Sequence, residues 1–598
     1  MQPVPQLLEA RVQAALASAC RALAPDFDLK DLPAEASRVV PCANASFGDY
    51  QWNGALSLAK RLKAKPRDLA ARLIESLDVS GMSAPPEIAG PGFVNFRLKP
   101  EFLSGLVPQV LADPRSGVPL AEQPRTIVID YPSPNVAKPL HVGHIRTMFI
   151  GDAIARTLRF AGHTVISDNH IGDWGTPIGM VIWGWKRFRD EPAFEINALE
   201  EMGRVYKIVK SMTTAQDQAN NPLPQARETL AQVREETAKL QSGDEGNLAI
   251  WRTLRRASQV ELDAVYLRLG IRIDETLGES FYNDRLQPAV QDLQARGLAR
   301  ESQGALVVFF DGPEQAGLSL PPMMVRKSDG GFNYASTDLA TVQYRVHRWQ
   351  PDEIIYVVDS RQALHFRQLF EAARMWGFAD VLLRFVDFGT INGEDGRAIK
   401  TREGDPPKLS DLLDEAERRA LEIVRDKNPE LSPGEQLEVA RVVGIGAVKY
   451  ADLCQNRASD YVFSWDKMLA LQGNSAPYLL FAYVRIRAIF RKGGLSDQDV
   501  AALSASTCRL EHPREIALAK YLLRFHEAIE TALSDYRMNA ISDYLFELAQ
   551  EFSGFIEACR VLDSDEPSRT TRLMLCAWSA QVLSCGLGLL GIESIEKM

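Results

Sequence analysis

The chain has 598 residues, 46% of them hydrophobic and 24% charged, which is typical of a globular protein and excludes a disordered or fibrous chain. At roughly 100–200 residues per domain, this length predicts three or four domains. The formal net charge of −10 means that any nucleic-acid partner must be bound by a local basic surface, because the overall field of the molecule repels it.

Cysteine usage and the start of the chain indicate the compartment. The seven cysteines never form a Cys-x-x-Cys pair, which disfavours both a disulfide framework and a thiolate zinc site. The first residues lack the features of a secretory signal, and no run of about 18 apolar residues predicts a membrane-spanning helix. We therefore expect a cytoplasmic protein with no membrane partner.

The first region of the chain mixes helical and extended segments. Helical periodicity runs over residues 5–24 and again over 55–77, where Pro66 interrupts it, and Phe93–Phe96 has the pattern of a short strand. A stretch rich in proline and small residues follows, as is typical of a linker. The sequence thus predicts a small N-terminal α/β domain over residues 1–112.

Strands and helices then alternate in the order expected of a parallel sheet. The predicted strands lie at 126–130, 163–167, 305–310, 353–358 and 382–388, and the first helix between them lies at 145–160. This alternation predicts an α/β multidomain protein with a doubly wound parallel sheet in a domain over residues 122–405. Such sheets bind their ligands beyond the carboxyl ends of the strands.

Two long stretches show helical periodicity without strands. Residues 186–265 are highly charged, and we expect a solvated helical insertion there, since charge runs usually mark exposed faces. From residue 406 to 598 the periodic segments are almost all helical. The sequence therefore predicts an all-α C-terminal domain.

The motif that carries most chemistry is His141-Val142-Gly143-His144, which opens the helix after the first strand of the sheet. Backbone N–H groups at a helix start attract phosphate, and Gly143 lets a base or ribose approach the backbone. The two imidazoles can donate hydrogen bonds to a phosphate as its charge grows. A structural role or a metal site is the alternative, although zinc needs a third protein ligand that the nearby sequence does not offer.

The surroundings of this motif resemble a known family. Residues 133–139 (SPNVAKP) precede the HVGH motif, and residues 169–175 (NHIGDWG) follow the second strand. Together these blocks resemble the class I aminoacyl-tRNA synthetases and, more narrowly, the arginyl-tRNA synthetase family. The resemblance implies a Rossmann-like catalytic domain, an N-terminal domain that touches the tRNA elbow and an anticodon-binding C-terminal domain.

The resemblance also implies the reaction and its partners. L-arginine is activated by ATP, supplied with Mg²⁺, to arginyl-adenylate with release of pyrophosphate, and the arginyl group then moves to the 3′ end of tRNA(Arg). The chain is expected to act as a monomer without a protein-bound metal. The residues implied to contact ATP are His141, Gly143, His144 and Lys400.

The second class I signature, a mobile Lys-Met-Ser-Lys-Ser loop, is degenerate here. Residues 397–404 (RAIKTREG) take its place, and Lys400 and Arg402 keep two positive charges without the usual lysine spacing. Arginyl enzymes with such a loop are thought to use a lysine upstream of the first signature, which here is Lys138. The residues implied to take part in catalysis are His141, His144, Lys138, Lys400 and Arg402.

A pocket for arginine needs carboxylates, because a guanidinium carries five donors and a permanent charge. Tyr334 and Asp338 lie four residues apart and share a face if a helix begins there, although spacing alone favours Asp338 as a helix N-cap. The resemblance instead implies that both line the arginine pocket. The other residues that it implies there are Ser133, Asn135, His144, Glu279 and Gln362.

Candidates for tRNA contacts lie at both ends of the chain. Arg485 and Arg487 are interleaved with aromatic residues, a combination that suits unstacked RNA, although aromatics at helical spacing are more often core residues. The resemblance implies that Asn44, Phe47 and Gln51 contact the tRNA elbow. Three other functions stay open: another class I synthetase, a non-catalytic RNA-binding paralogue, and a zinc hydrolase built on the two HVGH histidines.

Overall fold

The structure, a computed structural model, describes residues 2–28, 30, 32–136, 138–216, 221–315, 317–393, 395–397, 399 and 407–598. Its α-helices are, in chain order, α1 Val4–Leu23, α2 Ala55–Leu62, α3 Pro66–Ser76, α4 Pro100–Ala112, α5 Ile145–Phe160, α6 Thr176–Phe188, α7 Glu191–Ile196, α8 Ala198–Thr214, α9 Pro224–Gln241, α10 Glu245–Arg268, α11 Asn283–Ala295, α12 Tyr334–Trp349, α13 Ala363–Trp376, α14 Leu409–Lys427, α15 Pro433–Leu453, α16 Trp465–Met468, α17 Ala476–Lys492, α18 Asp497–Ala502, α19 Pro513–Leu522, α20 Phe525–Ser534, α21 Asn539–Ala558 and α22 Ser568–Leu589.

The N-terminal region is a small α/β layer, as predicted. Its four-stranded sheet comprises β1 Val39–Pro41, β2 Tyr50–Trp52, β3 Glu87–Ala89 and β4 Phe93–Phe96, paired antiparallel in the order β1-β2-β4-β3. The predicted break at Pro66 is confirmed: Lys63 ends α2 in the left-handed region at φ 51°, and Pro66 begins α3. Helix α1 packs against α3 beside this sheet.

The central sheet is parallel, and its carboxyl edge carries the HVGH motif. It comprises β5 Thr126–Asp130, β6 Thr164–Asp168, β10 Glu353–Asp359 and β11 Leu382–Phe388, in the order β11-β10-β5-β6. The middle strands β5 and β10 are buried because helices cover both faces of the sheet. The order reverses between β10 and β5, so the switch point where ligands bind lies at the start of α5.

One predicted strand of the central sheet is wrong. Residues 305–310 were expected in the parallel sheet, but β8 Ala305–Val308 pairs antiparallel with β7 Ala299–Ser302 and β9 Met323–Arg326. Gln303 and Gly304, which join β7 to β8, both have positive φ (51° and 79°), as in a two-residue hairpin turn. A parallel neighbour needs a crossover of about a dozen residues, which this turn excludes.

The two predicted helical stretches are confirmed. Helices α6 to α10 form a layered insertion, and the chain from α14 onward is helical apart from β13 Tyr461–Val462, which pairs with β12 Ile391–Asn392. Among the described residues, one helix, α22, is long and apolar enough to cross a membrane. The protein itself buries 72% of the apolar window of α22, as expected of a core helix.

A buried ion pair joins the helix of the HVGH motif to the C-terminal helices. Nε of Arg146 on α5 lies 2.9 Å from Oδ1 of Asp452 on α15, in ionic contact without the alignment of a hydrogen bond, and Nη1 donates to the Ser459 carbonyl. Both side chains are almost fully buried. Neither charge can be lost without leaving the other unpaired in the interior.

Replacing Arg146 by methionine should therefore lower the free energy of unfolding by about 3–5 kcal/mol, measured by urea denaturation. The matched control is Arg72→Met, which breaks an exposed pair with Glu75 and should cost about 1 kcal/mol or less. Equal losses in the two variants would contradict the role assigned to the buried pair.

Candidate active site

The HVGH motif forms a 3₁₀ turn, Val142–His144, that leads directly into α5. Nδ1 of His141 accepts a hydrogen bond from the Gly143 N–H at 3.0 Å, and Nδ1 of His144 accepts one from the His141 N–H at 3.1 Å. A neutral imidazole that accepts at Nδ1 carries its proton on Nε2. The turn therefore fixes both histidines as Nε2–H donors.

Burial also keeps the two imidazoles uncharged. It lowers the pKa of His141, which the nearby Lys138 ammonium lowers further. Burial, with smaller contributions from His141 and Lys138, lowers the pKa of His144 to about 3, against one opposing hydrogen bond from the His141 backbone. Near neutral pH the site thus offers two uncharged donors, which can stabilise a phosphate without a proton having to be bound first.

This low pKa predicts a pH-dependent stability. His144 binds a proton below about pH 6.5 in the unfolded chain, but only near pH 3 in the folded chain. Between these values, this group lowers the free energy of unfolding by about 1.4 kcal/mol for each pH unit that the pH falls. In His144→Asn this loss is removed. The unfolding free energy of the variant, measured at pH 7 and pH 5, should fall less than that of the parent chain; equal falls would contradict the assignment.

The positive groups of the site are only partly described. Nζ of Lys138 lies 4.3 Å from the ring centroid of Tyr206 on α8, while Lys400 and Arg402 lie outside the described residues. The chain that follows them returns beside the HVGH turn: the Val142 N–H donates to the Pro407 carbonyl, and the Leu409 N–H donates to the Leu140 carbonyl. Pro407 and Leu409, which follow the degenerate signature in the chain, therefore lie beside the HVGH turn.

Ser133 occupies a strained and well-connected position at the end of β5. Its φ of 52° lies in the left-handed region, its hydroxyl donates to Asp130 at 2.6 Å, and its N–H donates to the Asn169 side-chain oxygen at 3.1 Å. The His170 N–H in turn donates to the Ser133 hydroxyl at 3.2 Å. Asn135 is exposed two residues later and forms a bridge with Gly172. The two predicted loops are thus joined to each other.

A buried charge cluster beneath this loop was not predicted. Arg345 on α12 places Nη2 2.6 Å from Asp130 Oδ2 and 2.9 Å from Asp168 Oδ2. All three residues are buried, and the two aspartates end neighbouring strands of the sheet. Only the pairing of β5 with β6 brings these carboxylates together, so spacing along the chain gave no signal.

Tyr334 and Asp338 share one face of α12, as predicted from their spacing. The N-cap of α12 is Asn333, whose side chain accepts from the Ser336 N–H, so the alternative role of Asp338 as an N-cap is wrong. Asp338 Oδ2 instead lies 2.6 Å from Nε2 of His365 on α13. The Tyr334 side chain is 64% exposed at the mouth of the cleft.

Two further candidates lie around this pair. Burial raises the pKa of Glu279, the charges of Asp338 and Asp173 raise it further, and His170 opposes them. Glu279 and Asp338 are therefore close enough for the charge of one carboxylate to act on the other. Gln362 is exposed at the end of the 3₁₀ turn Ser360–Gln362, three residues before His365.

Several of these residues line a cavity of about 910 Å³. Asn135, Glu279 and Tyr334 line one side of it, and helix α9 of the insertion lines another with Arg234 and Gln241. Nε2 of Gln241 donates to the Trp174 carbonyl, which ties α9 to the NHIGDWG loop. The sequence predicts a solvated helical insertion here. One helix of that insertion, α9, thus also forms a wall of the cleft.

The proposed tRNA contacts have different environments. Phe47 is 55% exposed, Asn44 caps its own turn by accepting from the Ser46 N–H, and Gln51 donates to Asn95 within the N-terminal sheet. Arg487 is held by Asp497 at 2.5 Å and Glu596 at 2.6 Å, whereas Arg485 is half-buried on the same helix. These positions support Phe47 as an accessible contact more directly than Arg487.

Comparison with known proteins assigns the family. The model of the "tRNA synthetases class I (R), catalytic domain" matches residues 106–465, that of the "Arginyl tRNA synthetase N terminal domain" matches 6–98, and that of the "DALR anticodon binding domain" matches 479–598. An arginine–tRNA ligase of Nostoc punctiforme is 45% identical over 94% of this chain and 95% of its own length.

Other relatives agree. An arginine–tRNA ligase of Alcanivorax borkumensis is 43% identical over 95% of this chain and 96% of its own length. The solved arginyl-tRNA synthetase of Thermus thermophilus superposes with a TM-score of 0.81 at 25% identity, covering all of both chains. The chain therefore belongs to the arginyl-tRNA synthetase family, within class I of the aminoacyl-tRNA synthetases.

Proposed function

We propose that the cleft at the carboxyl edge of the central sheet performs both steps by which this chain charges tRNA(Arg) with L-arginine at the expense of ATP. One observation carries the proposal: the neutral imidazoles of the HVGH turn and the carboxylates of Asp338 and Glu279 lie beyond the carboxyl ends of neighbouring parallel strands. The HVGH turn follows β5, Asp338 contacts His365 in the helix after β10, and the Glu279 N–H donates to the Ile171 carbonyl after β6. The imidazole N–H donors can bind an anionic phosphate, and the carboxylates can bind a cationic guanidinium.

In the first step a carboxylate oxygen of arginine attacks the α-phosphorus of ATP, which enters as its Mg²⁺ complex, and the bond to the departing pyrophosphate breaks. His141 and His144 donate their Nε2–H groups to the phosphate as its charge redistributes. Lys138 supplies a positive charge on the same loop. From the sequence resemblance alone, we assign to Lys400 and Arg402 the role of supplying positive charge to the departing pyrophosphate.

Arginine is held from both ends. Asp338 and Glu279 pair with the guanidinium beside the Tyr334 ring, and the binding of a cation favours the ionised form of Glu279, whose pKa burial raises. Ser133 and Asn135 contact the α-amino group, and Gln362 lines the arginine pocket with Tyr334 and Asp338. We assign His144 to both substrates, since the sequence resemblance implies that it contacts arginine as well as ATP.

The three regions divide the work of holding tRNA. We assign residues 1–112 to the tRNA elbow, 122–405 to catalysis and 406–598 to the anticodon. Asn44, Phe47 and Gln51 contact the elbow, and Arg485 and Arg487 contact the anticodon loop, for which Arg487 must leave Asp497 and Glu596. The enzyme works as a cytoplasmic monomer, apart from membranes.

The test is ATP–pyrophosphate exchange with each of several amino acids, with and without tRNA(Arg). Exchange that requires arginine supports the proposal. Exchange with another amino acid would identify a different class I synthetase, exchange with none would favour a non-catalytic RNA-binding paralogue, and phosphate-ester hydrolysis that requires zinc would favour a metal hydrolase.

A further inference from the structure

His365 touches both side chains assigned to the guanidinium. Its Nε2 lies 2.6 Å from Asp338 Oδ2, and its ring meets the Tyr334 ring edge-on at a centroid distance of 4.8 Å. The side chains of His365 and Asp338 are only 15% and 22% exposed, so this contact is largely shielded from solvent. Among the described histidines, only His365 has a ring that contacts Asp338 or Tyr334.

The contact with His365 fixes the orientation of the Asp338 carboxylate. One oxygen of Asp338, Oδ2, is engaged by His365, which leaves Oδ1 for the ligand. A carboxylate on a free rotor would lose side-chain entropy on binding, whereas one held in place does not. The same ring limits the motion of the exposed Tyr334, so a single residue of α13 orients two groups of α12.

We propose that His365 is a positioning residue that sets the affinity for arginine by orienting Asp338 and Tyr334. The inference depends on the proposed function, because it requires the guanidinium to bind at Asp338. His365 does not itself contact arginine; it acts through the carboxylate. Its effect should therefore appear in the binding of arginine, not in the binding of ATP.

His365→Phe should raise the KM for arginine by about ten- to a hundredfold, as expected for the loss of a hydrogen bond to a charged group, and leave the KM for ATP within about twofold. Aminoacylation of tRNA(Arg) with each substrate varied measures both. His365→Gln keeps a side-chain N–H donor of similar reach and should recover most of the loss. An unchanged arginine KM in His365→Phe would overturn the proposal.

A double-mutant cycle separates positioning from general packing. In an Asp338→Asn background, His365→Phe should change the arginine KM by less than about twofold. The carboxylate that His365 orients is already lost there, and a phenylalanine ring can keep the edge-on contact with Tyr334. Equal factors in the two backgrounds would overturn the proposal. If Asp338→Asn alone leaves the arginine KM unchanged, the proposed arginine pocket itself is wrong, which is a distinct outcome from failure of His365→Phe alone.

Discussion

Asp338→Asn should lower kcat/KM for arginine by about a hundredfold or more, since one partner of a shielded charge pair is lost, which typically costs about 3–5 kcal/mol. Asparagine keeps the size of the side chain and its place on α12, and it can still meet the His365 ring. The variant therefore tests the charge itself. Aminoacylation at varied arginine, together with thermal unfolding, gives the result.

The matched control for this variant is Asp263→Asn, which makes the same change on an exposed part of α10. It should leave kcat/KM within about threefold, because the residue is exposed and an asparagine oxygen can still accept the hydrogen bond that Asp263 Oδ1 accepts from Gln259. If Asp338→Asn behaved like this control, the guanidinium would have to bind elsewhere in the cleft.

His141→Asn should lower kcat by about a hundred- to a thousandfold, the usual cost of removing one preorganised donor from a developing charge. The substitution is chosen because asparagine is a good N-cap and can accept from the Gly143 N–H, as His141 Nδ1 does. The turn should thus survive while the Nε2–H donor is lost. Single-turnover formation of the adenylate measures the effect.

His163→Asn provides the matched control, because Nδ1 of His163 also accepts a backbone N–H, that of Arg125, at the opposite edge of the sheet. Its kcat should stay within about twofold of the parent chain. A loss of activity in His141→Asn that is accompanied by the same loss in His163→Asn would point to altered folding and would remove the role of His141 as a donor.

Local features of the site could be predicted from the sequence. The start of α5 at the HVGH motif, the helical spacing of Tyr334 and Asp338 and the strand that ends before Ser133 are each set by a few neighbouring residues. Backbone propensity, capping and periodicity act over that range. The family resemblance then supplied roles that spacing alone left open.

Long-range features could not be predicted. The contact of His365 with Asp338 spans 27 residues, and that of Arg345 with Asp130 spans 215. Each depends on which helices and strands become neighbours, which no local pattern encodes. The hairpin at β8 shows the same limit in another form, since an apolar strand looks alike in a parallel and an antiparallel sheet.

The most direct test is a crystal structure with a non-hydrolysable arginyl-adenylate analogue. We expect its guanidinium within hydrogen-bonding distance of Asp338 Oδ1 and Glu279, and the group that replaces its phosphate beside Nε2 of His141 and His144. An analogue that lies with its guanidinium away from Asp338, or with its adenosine away from the HVGH turn, would contradict the assignment of this cleft.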